Sequence, residues 1–78
     1  MKFIELDGKN LRQVINDHEV SAADLHNAGV DDDSIVRVNE QGDIEVRRRD
    51  RWDVIGGLLG DFEHRLKRVT HLDWAGEE

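Results

Sequence analysis

A chain of 78 residues carries 18 acidic and 11 basic side chains, which give it a net charge of −7 at neutral pH. A charge of this sign and size opposes general binding to nucleic acid and to anionic membranes. The sequence contains no cysteine, so disulfides and thiolate metal sites are excluded.

A single domain is all that this length allows. A domain this small buries only about 60% of the surface that its unfolded chain exposes, so a partner or a second copy would add stability. No apolar run approaches the roughly 20 residues that cross a bilayer, and the first residues lack the basic and apolar regions of a signal peptide. We therefore expect a cytoplasmic domain over residues 1–75, away from membranes, and a mobile tail over residues 76–78.

One strand and two short helices are predicted in the first part of the chain. Residues 2–6 alternate between apolar and polar side chains in the manner of a strand, and Asn10 is the expected N-cap of a helix of about two turns. Ser21 is the expected N-cap of the second helix, with Asp24 in the reciprocal position of a capping box. Gly29 suits the left-handed conformation that ends a helix.

Residues 34–49 predict an antiparallel hairpin with a defined register. Its apolar face would consist of Val36, Val38, Ile44 and Val46. If all four side chains face the core, the two strands are joined by a loop of three residues, 40–42. The last position of such a loop favours a left-handed backbone, which Gly42 adopts without strain. On the opposite face, Arg37 would lie across from Glu45 as a favourable cross-strand pair.

The longest apolar period of the chain predicts a helix over residues 50–74, with Asp50 as its N-cap. The side chains of its apolar stripe, which we expect in the core or at an interface, are Trp52, Ile55, Leu59, Phe62, Leu66 and Val69. Gly56 and Gly60 lie four residues apart beside this stripe, and each would cost a helix about 1 kcal/mol relative to alanine. They predict a smooth strip for close packing, either against this chain's own sheet or against a second copy in a dimer.

A dense basic run lies where the hairpin gives way to this helix. The candidate partner-binding residues there are Arg47, Arg48, Arg49 and Arg51. Their guanidinium groups suit phosphate or an acidic protein surface, or they pair with nearby carboxylates in solvent. Trp74, near the end of the chain, either folds back onto the core or is an exposed anchor for a partner.

Two alternative functions are compatible with parts of the sequence. Residues 11–30 resemble a helix-turn-helix in which Val20 and Ser21 occupy the turn and the hairpin forms a wing. The second helix, however, lacks the basic residues that accompany such a helix on DNA. A metal site could use Asp61 and His64, but the local pattern lacks a third ligand.

Catalysis has no recognisable basis in the sequence, because neither an activated nucleophile nor a glycine-rich phosphate loop is present. We predict no catalytic residue, no cofactor and no metal. The fold predicted is α+β in the order strand-helix-helix-strand-strand-helix, with a sheet of about three strands packed on the long C-terminal helix. The function predicted is a non-enzymatic protein-protein interaction or regulatory module, with a homodimer as one form; binding of nucleic acid and binding of metal are the alternatives.

Overall fold

Seven elements of secondary structure make up residues 1–76, which are the part of the chain that the computed structural model describes. In chain order they are β1 (Phe3–Asp7), α1 (Gly8–Val14), α2 (Ala22–Asn27), β2 (Ile35–Asn39), β3 (Asp43–Arg47), β4 (Trp52–Gly57) and α3 (Phe62–Thr70). The strands form an antiparallel sheet in the order β1-β2-β3-β4. The predicted α+β class is confirmed, with four strands in this part of the chain where about three were expected.

The predicted register of the β2–β3 hairpin is confirmed. Val38 lies opposite Ile44 and Val36 lies opposite Val46, and Gly42 closes the loop with a φ of 91°. The first strand, whose place the sequence leaves open, pairs with β2 at one edge of the sheet.

The predicted helix over residues 50–74 is wrong in its first half, and its last four residues also lie outside α3, which ends at Thr70. Residues 52–57 form β4 on the free edge of β3, and α3 begins only at Phe62. Glycines at 56, 57 and 60 each weaken a helix by about 1 kcal/mol, whereas Val54 and Ile55 are β-branched and favour a strand. Asp50 consequently lies in the turn between β3 and β4 and is not an N-cap.

The start of α1 also differs from the prediction. Asp7 is its N-cap and accepts a hydrogen bond from the amide of Asn10 at 2.8 Å, so an N-cap at Asn10 is wrong. The helix can begin directly after β1 because Gly8 lies against the backbone of Asp31, where a Cβ atom would sit only 1.8 Å from the carbonyl oxygen.

The capping of α2 follows the prediction. The hydroxyl of Ser21 accepts from the amide of Asp24 at 3.1 Å, and the carboxylate of Asp24 accepts from the amide of Ser21 at 3.0 Å. Gly29 follows the helix with a φ of 75°. Both helix boundaries are therefore set by residues that the sequence identifies.

The core lies between the three helices and one face of the sheet. Its largest fully buried side chains are Ile4, Leu11, Val14, Leu25, Val36, Val38, Ile44, Val46 and Leu66. Of the predicted apolar stripe, Leu66 is central, Ile55, Phe62 and Val69 pack at the margin, and Leu59 is 62% exposed. Within residues 1–76, none of the helices has the length and apolar character that crossing a membrane requires.

The C-terminal segment returns to the sheet at its β1 edge. Ala75 and Phe3 exchange backbone hydrogen bonds of 2.8 and 2.9 Å. Of the predicted mobile tail over residues 76–78, Gly76 belongs to the described chain, and residues 77 and 78 lie outside the described residues.

Candidate functional site

One face of the sheet turns away from the core and from the helices, and we call it the open face. Side chains alternate between the two faces of a strand, and the core takes the even-numbered residues of β1, β2 and β3. The open face includes Phe3, Glu5, Ile35, Arg37, Glu45, Arg47, Trp52 and Val54. None of the helices α1, α2 and α3 contributes to the layer on this side of the sheet, because the apolar core they cover is on the opposite face.

The centre of the open face is a fixed stack around Arg37. Its guanidinium carbon lies 3.8 Å from the ring centroid of Phe3 and 4.1 Å from that of Trp52, within the range of a cation–π interaction. Its Nη2 atom donates to Oε1 of Glu45 at 3.1 Å, which confirms the predicted cross-strand pair. Because Arg37 and Glu45 are both about nine-tenths buried, this stack is a rigid platform, and the accessible apolar groups beside it are Ile35 and Val54.

The outer edge of β4 carries unpaired backbone groups. The amide of Arg48 donates to the carbonyl of Arg51 at 2.7 Å, so these two residues form a hydrogen-bonded pair in the hairpin. Pairs of this kind alternate with non-hydrogen-bonded ones, and Trp52 and Val54 belong to the second kind. Their N–H and C=O groups therefore point away from β3, and no other strand within the described chain meets them.

Proteins usually protect such an edge with lysine, proline or a bulge. β4 has the bulge, because Ile55 is the extra residue where the register with β3 shifts, but it has neither lysine nor proline. Val54, at the middle of the strand, is 61% exposed. Sequence reasoning missed this edge because it assigned these residues to a helix; the β-branched pair Val54 and Ile55 was the signal for a strand.

Residues 47–51, which are the last residue of β3 and the turn that leads to β4, bring the predicted arginines together at one end of this edge, and we call this segment the arginine turn. A concavity of about 380 Å³ lies there, lined by Arg47, Arg48, Arg49, Asp50, Arg51 and Trp52. The four arginines nevertheless differ in what they bind.

Arg48 has a structural role in the arginine turn. Its Nε and Nη2 atoms donate to Oδ2 of Asp53 at 3.2 and 3.1 Å, and Nη2 also donates to the carbonyl of Ala28 at 2.7 Å. It thereby ties the C-terminal end of α2, where a cation is favourable, to the start of β4. Its hydrogen-bonding capacity is largely used within the chain.

Three guanidinium groups of the arginine turn remain accessible to a ligand. Within residues 1–76, the guanidinium group of Arg51 forms an ion pair with Asp50 alone, at 3.3 Å, and both side chains are more than 60% exposed, so solvent and salt weaken this pair. Arg47 and Arg49 are exposed and form no ion pair with any residue from 1 to 76.

Trp74 lies on the other side of the molecule. Its side chain is half-buried against the core, and the next residue pairs with Phe3 at the edge of β1. Three strand spacings separate the β1 and β4 edges, about 14 Å. A second concavity, of about 400 Å³, lies on this side and is lined by Phe3, Glu5, Arg37, Leu72, Asp73, Ala75 and Gly76. Trp74 and the arginine turn therefore do not form one site.

The glycine strip predicted on a helix does not form, because Gly56 lies in β4 and Gly60 lies in the following loop with a φ of 65°. Gly56 serves close packing within the chain, since a Cβ atom there would lie 2.8 Å from Cγ2 of Val20. Gly60 has open space around it. A helical dimer contact at these glycines therefore loses its structural basis.

The alternative functions find little support in this geometry. The β2–β3 hairpin supplies the two inner strands of the sheet, so it does not project as a wing. α2 is six residues long and has no lysine or arginine. Among the described residues, no three histidine, aspartate or glutamate side chains lie close enough together to hold a metal ion.

A strongly perturbed carboxylate, that of Glu19, lies away from the open face and has a structural role. Glu19 accepts from Nη1 and Nη2 of Arg65 at 3.0 and 2.8 Å and from the amide of Leu59 at 2.6 Å. These bonds lower the pKa of Glu19 from 4.5 to about 2, although burial opposes the shift. Its hydrogen bonds hold the connection between β4 and α3 against the rest of the fold.

Comparison with protein-family models, with curated proteins and with solved structures gives no match to this chain.

Proposed function

We propose that this protein is a small, non-enzymatic interaction module that binds an extended segment of another protein as a fifth strand along the outer edge of β4. The observation that carries this proposal is the outward direction of the backbone groups of Trp52 and Val54 on an edge without lysine or proline. Strand addition uses such backbone groups for affinity and neighbouring side chains for specificity.

The side chains beside this edge suit an extended ligand. Val54 presents an exposed β-branched side chain, and Trp52 presents one half-buried ring that is already held in place by Arg37. A ligand strand that pairs with β4 would place alternate side chains over these groups. Because β4 has only six residues, the interface is small, and interfaces of this size belong to transient complexes.

We favour a different protein over a second copy as the partner. Two copies that each carry a charge of −7 repel one another, and this repulsion keeps a protein monomeric. Pairing of β4 with β4 of a second copy would give a concentration-dependent dimer, which light scattering over a concentration series detects.

The test is a selection of random peptides of about ten residues, enough to run along β4, with the wild-type protein as bait. A selected peptide should bind with micromolar affinity and should protect the amides of Trp52 and Val54 from hydrogen exchange, measured by NMR. Val54→Pro removes one outward N–H and should weaken binding about tenfold or more. Val54→Thr keeps that N–H and a β-branched shape and should bind like the wild type.

Proline is tolerated on an edge strand where its missing N–H faces solvent, so Val54→Pro should keep its fold, which circular dichroism and thermal unfolding verify. Equal binding by the folded Val54→Pro protein would refute strand addition at this edge. Protection of amides in another element, or failure to select any peptide, would refute it as well.

A further inference from the structure

We infer that the partner segment is acidic, and that its carboxylates bind Arg47, Arg49 and Arg51 at the concavity of the arginine turn while its backbone pairs with β4. This inference rests on the proposed function and names the chemistry of its partner. It joins two features of the structure, the open strand edge and the accessible guanidinium groups at one end of that edge.

The position of the concavity supports one continuous ligand. Trp52 is both a wall of the concavity and the first residue of β4. A chain that pairs with the edge therefore meets the arginine turn as soon as it passes Trp52. Arg47 lies directly across from Trp52 on the open face, so its guanidinium belongs to the same surface.

The charges of the chain support an acidic ligand. The protein has 18 carboxylates against 11 cations, and Arg12, Arg48 and Arg65 each hold one of these carboxylates. Arg47 and Arg49 form no such pair within residues 1–76, and Arg51 holds only an exposed neighbour. A positive site on a strongly negative molecule orients an acidic partner and opposes other arrangements of the complex.

The geometry of the arginine turn is fixed before a ligand arrives. Arg48 ties it to the carbonyl of Ala28 and to Asp53, so the three accessible guanidinium groups start from an ordered backbone. An ordered site loses less conformational entropy on binding. The planar guanidinium group also matches a carboxylate with two parallel hydrogen bonds.

Carboxylates fit the site better than a nucleic acid does. A nucleic acid brings one charge with each phosphate along its length, and beyond the arginine turn it would meet the acidic surface of a protein with a charge of −7. A peptide can carry its charges at one end only. Its uncharged remainder can then lie along β4.

The experiment compares two synthetic peptides that share a β-branched strand segment and differ at one end, where one carries glutamates and the other carries glutamines. Binding to the wild-type protein is measured by fluorescence anisotropy over a range of salt concentrations. The glutamate peptide should bind about tenfold more tightly at low salt, and added salt should reduce the difference.

Matched variants identify the residues that cause the preference for the glutamate peptide. The triple substitution Arg47→Gln, Arg49→Gln and Arg51→Gln should abolish the preference for glutamate and leave binding of the glutamine peptide unchanged. Arg68→Gln is the control, because Arg68 is also exposed and has no ion pair in the described chain but lies on α3. This control should retain the full preference.

The outcomes separate the two proposals. If both peptides bind equally and Val54→Pro weakens both, the acidic-partner inference is refuted and strand addition stands. If the triple variant still prefers the glutamate peptide, the inference is refuted, because the glutamates then bind residues other than these three arginines. A competition experiment gives a further test, in which unlabelled molecules displace the labelled glutamate peptide. If inorganic phosphate or a single-stranded oligonucleotide displaces it at a lower concentration than unlabelled glutamate peptide does, the acidic-partner inference is refuted. If neither peptide binds, both proposals fail.

Discussion

Glu19→Gln is the substitution whose effect on stability the structure defines most fully. The side chain of Glu19 is 1% exposed, and its carboxylate joins three parts of the chain. It binds the guanidinium group of Arg65 on α3, the amide of Leu59 after β4, and the amide of Asn16 after α1. Glutamine keeps the shape of the side chain but removes the negative charge, and leaves the Arg65 cation without its counter-charge.

The size of the expected loss in the free energy of unfolding follows from the pKa of Glu19. A fall from 4.5 to about 2 on folding corresponds to about 3 kcal/mol of stability at neutral pH. Loss of one partner of a buried ion pair costs about 3–5 kcal/mol in other proteins, which agrees. Because the folded state has the lower pKa, this stability is complete above about pH 5 and is lost as the pH falls through 4.5 towards 2.

Urea unfolding at a series of pH values measures this contribution, with the fluorescence of Trp52 and Trp74 as the signal. Glu19→Gln should lower the free energy of unfolding by about 3 kcal/mol at pH 7, and the difference from the wild type should shrink steadily below pH 5. Glu63→Gln is the control, since its carboxylate pairs with Lys67 on the exposed surface of α3 and should change stability little.

A loss below about 1 kcal/mol at pH 7, or a loss that stays constant down to pH 2, would contradict the assignment of this pKa to the Arg65 contact. A domain of this size has a total stability of only about 3–5 kcal/mol. If Glu19→Gln is unfolded without urea, the pH series is therefore repeated in an osmolyte such as trimethylamine oxide, which strengthens burial.

Three further substitutions test local features, each by urea or thermal unfolding. Gly56→Ala should cost about 1–3 kcal/mol through overpacking, because the new methyl group would lie 2.8 Å from Cγ2 of Val20, and this cost should be smaller in a Val20→Ala background, where that methyl group is absent. Ser21→Ala should cost about 1 kcal/mol through loss of the capping box, and an unchanged midpoint would contradict the observed bonds. Gly42→Ala should cost more than about 1 kcal/mol, because its φ is 91° and its Cβ atom would lie 2.8 Å from the carbonyl of Leu58. A neutral result would contradict the left-handed loop.

The features that the sequence predicted correctly depend on neighbours in the chain. The capping box of Ser21 and Asp24 needs residues only three apart, and the hairpin register follows from the alternation of apolar residues on each side of Gly42. Local hydrogen bonds and a side-chain period of two fix these features. No distant part of the chain is required to specify them.

The error at β4 has a defined physical cause in its bulge. A regular strand would alternate its side chains, but the extra residue Ile55 turns toward the core beside Gly56. This breaks the period of two and leaves apolar residues at 52, 55, 59 and 62, which imitate a helix. Residues 52–57 form a strand because they pair with β3. The spacing of apolar residues within this one segment does not reveal that pairing.

Of the candidate site, the sequence predicted the basic residues but not the strand edge beside them. The arginines were identifiable as a basic run, but the division of their roles depends on Ala28, which contacts Arg48 from 20 residues away. The strand edge beside them could not be predicted once β4 was assigned to a helix. Charge is visible in a sequence, whereas an unpaired edge is a property of the assembled sheet.

β4 is held at both ends by contacts from outside the sheet, and this explains how an edge strand can remain ordered with one side unpaired. At its start, Arg48 binds Asp53 and α2. At its end, the amide of Leu58 donates to the carbonyl of Gly42 at 2.8 Å, and the next amide donates to Glu19. An edge fixed in this way presents its free N–H and C=O groups at a constant spacing. A strand that bound there, as we propose, would lose only its own conformational entropy, and this would favour binding of flexible segments even across a small interface.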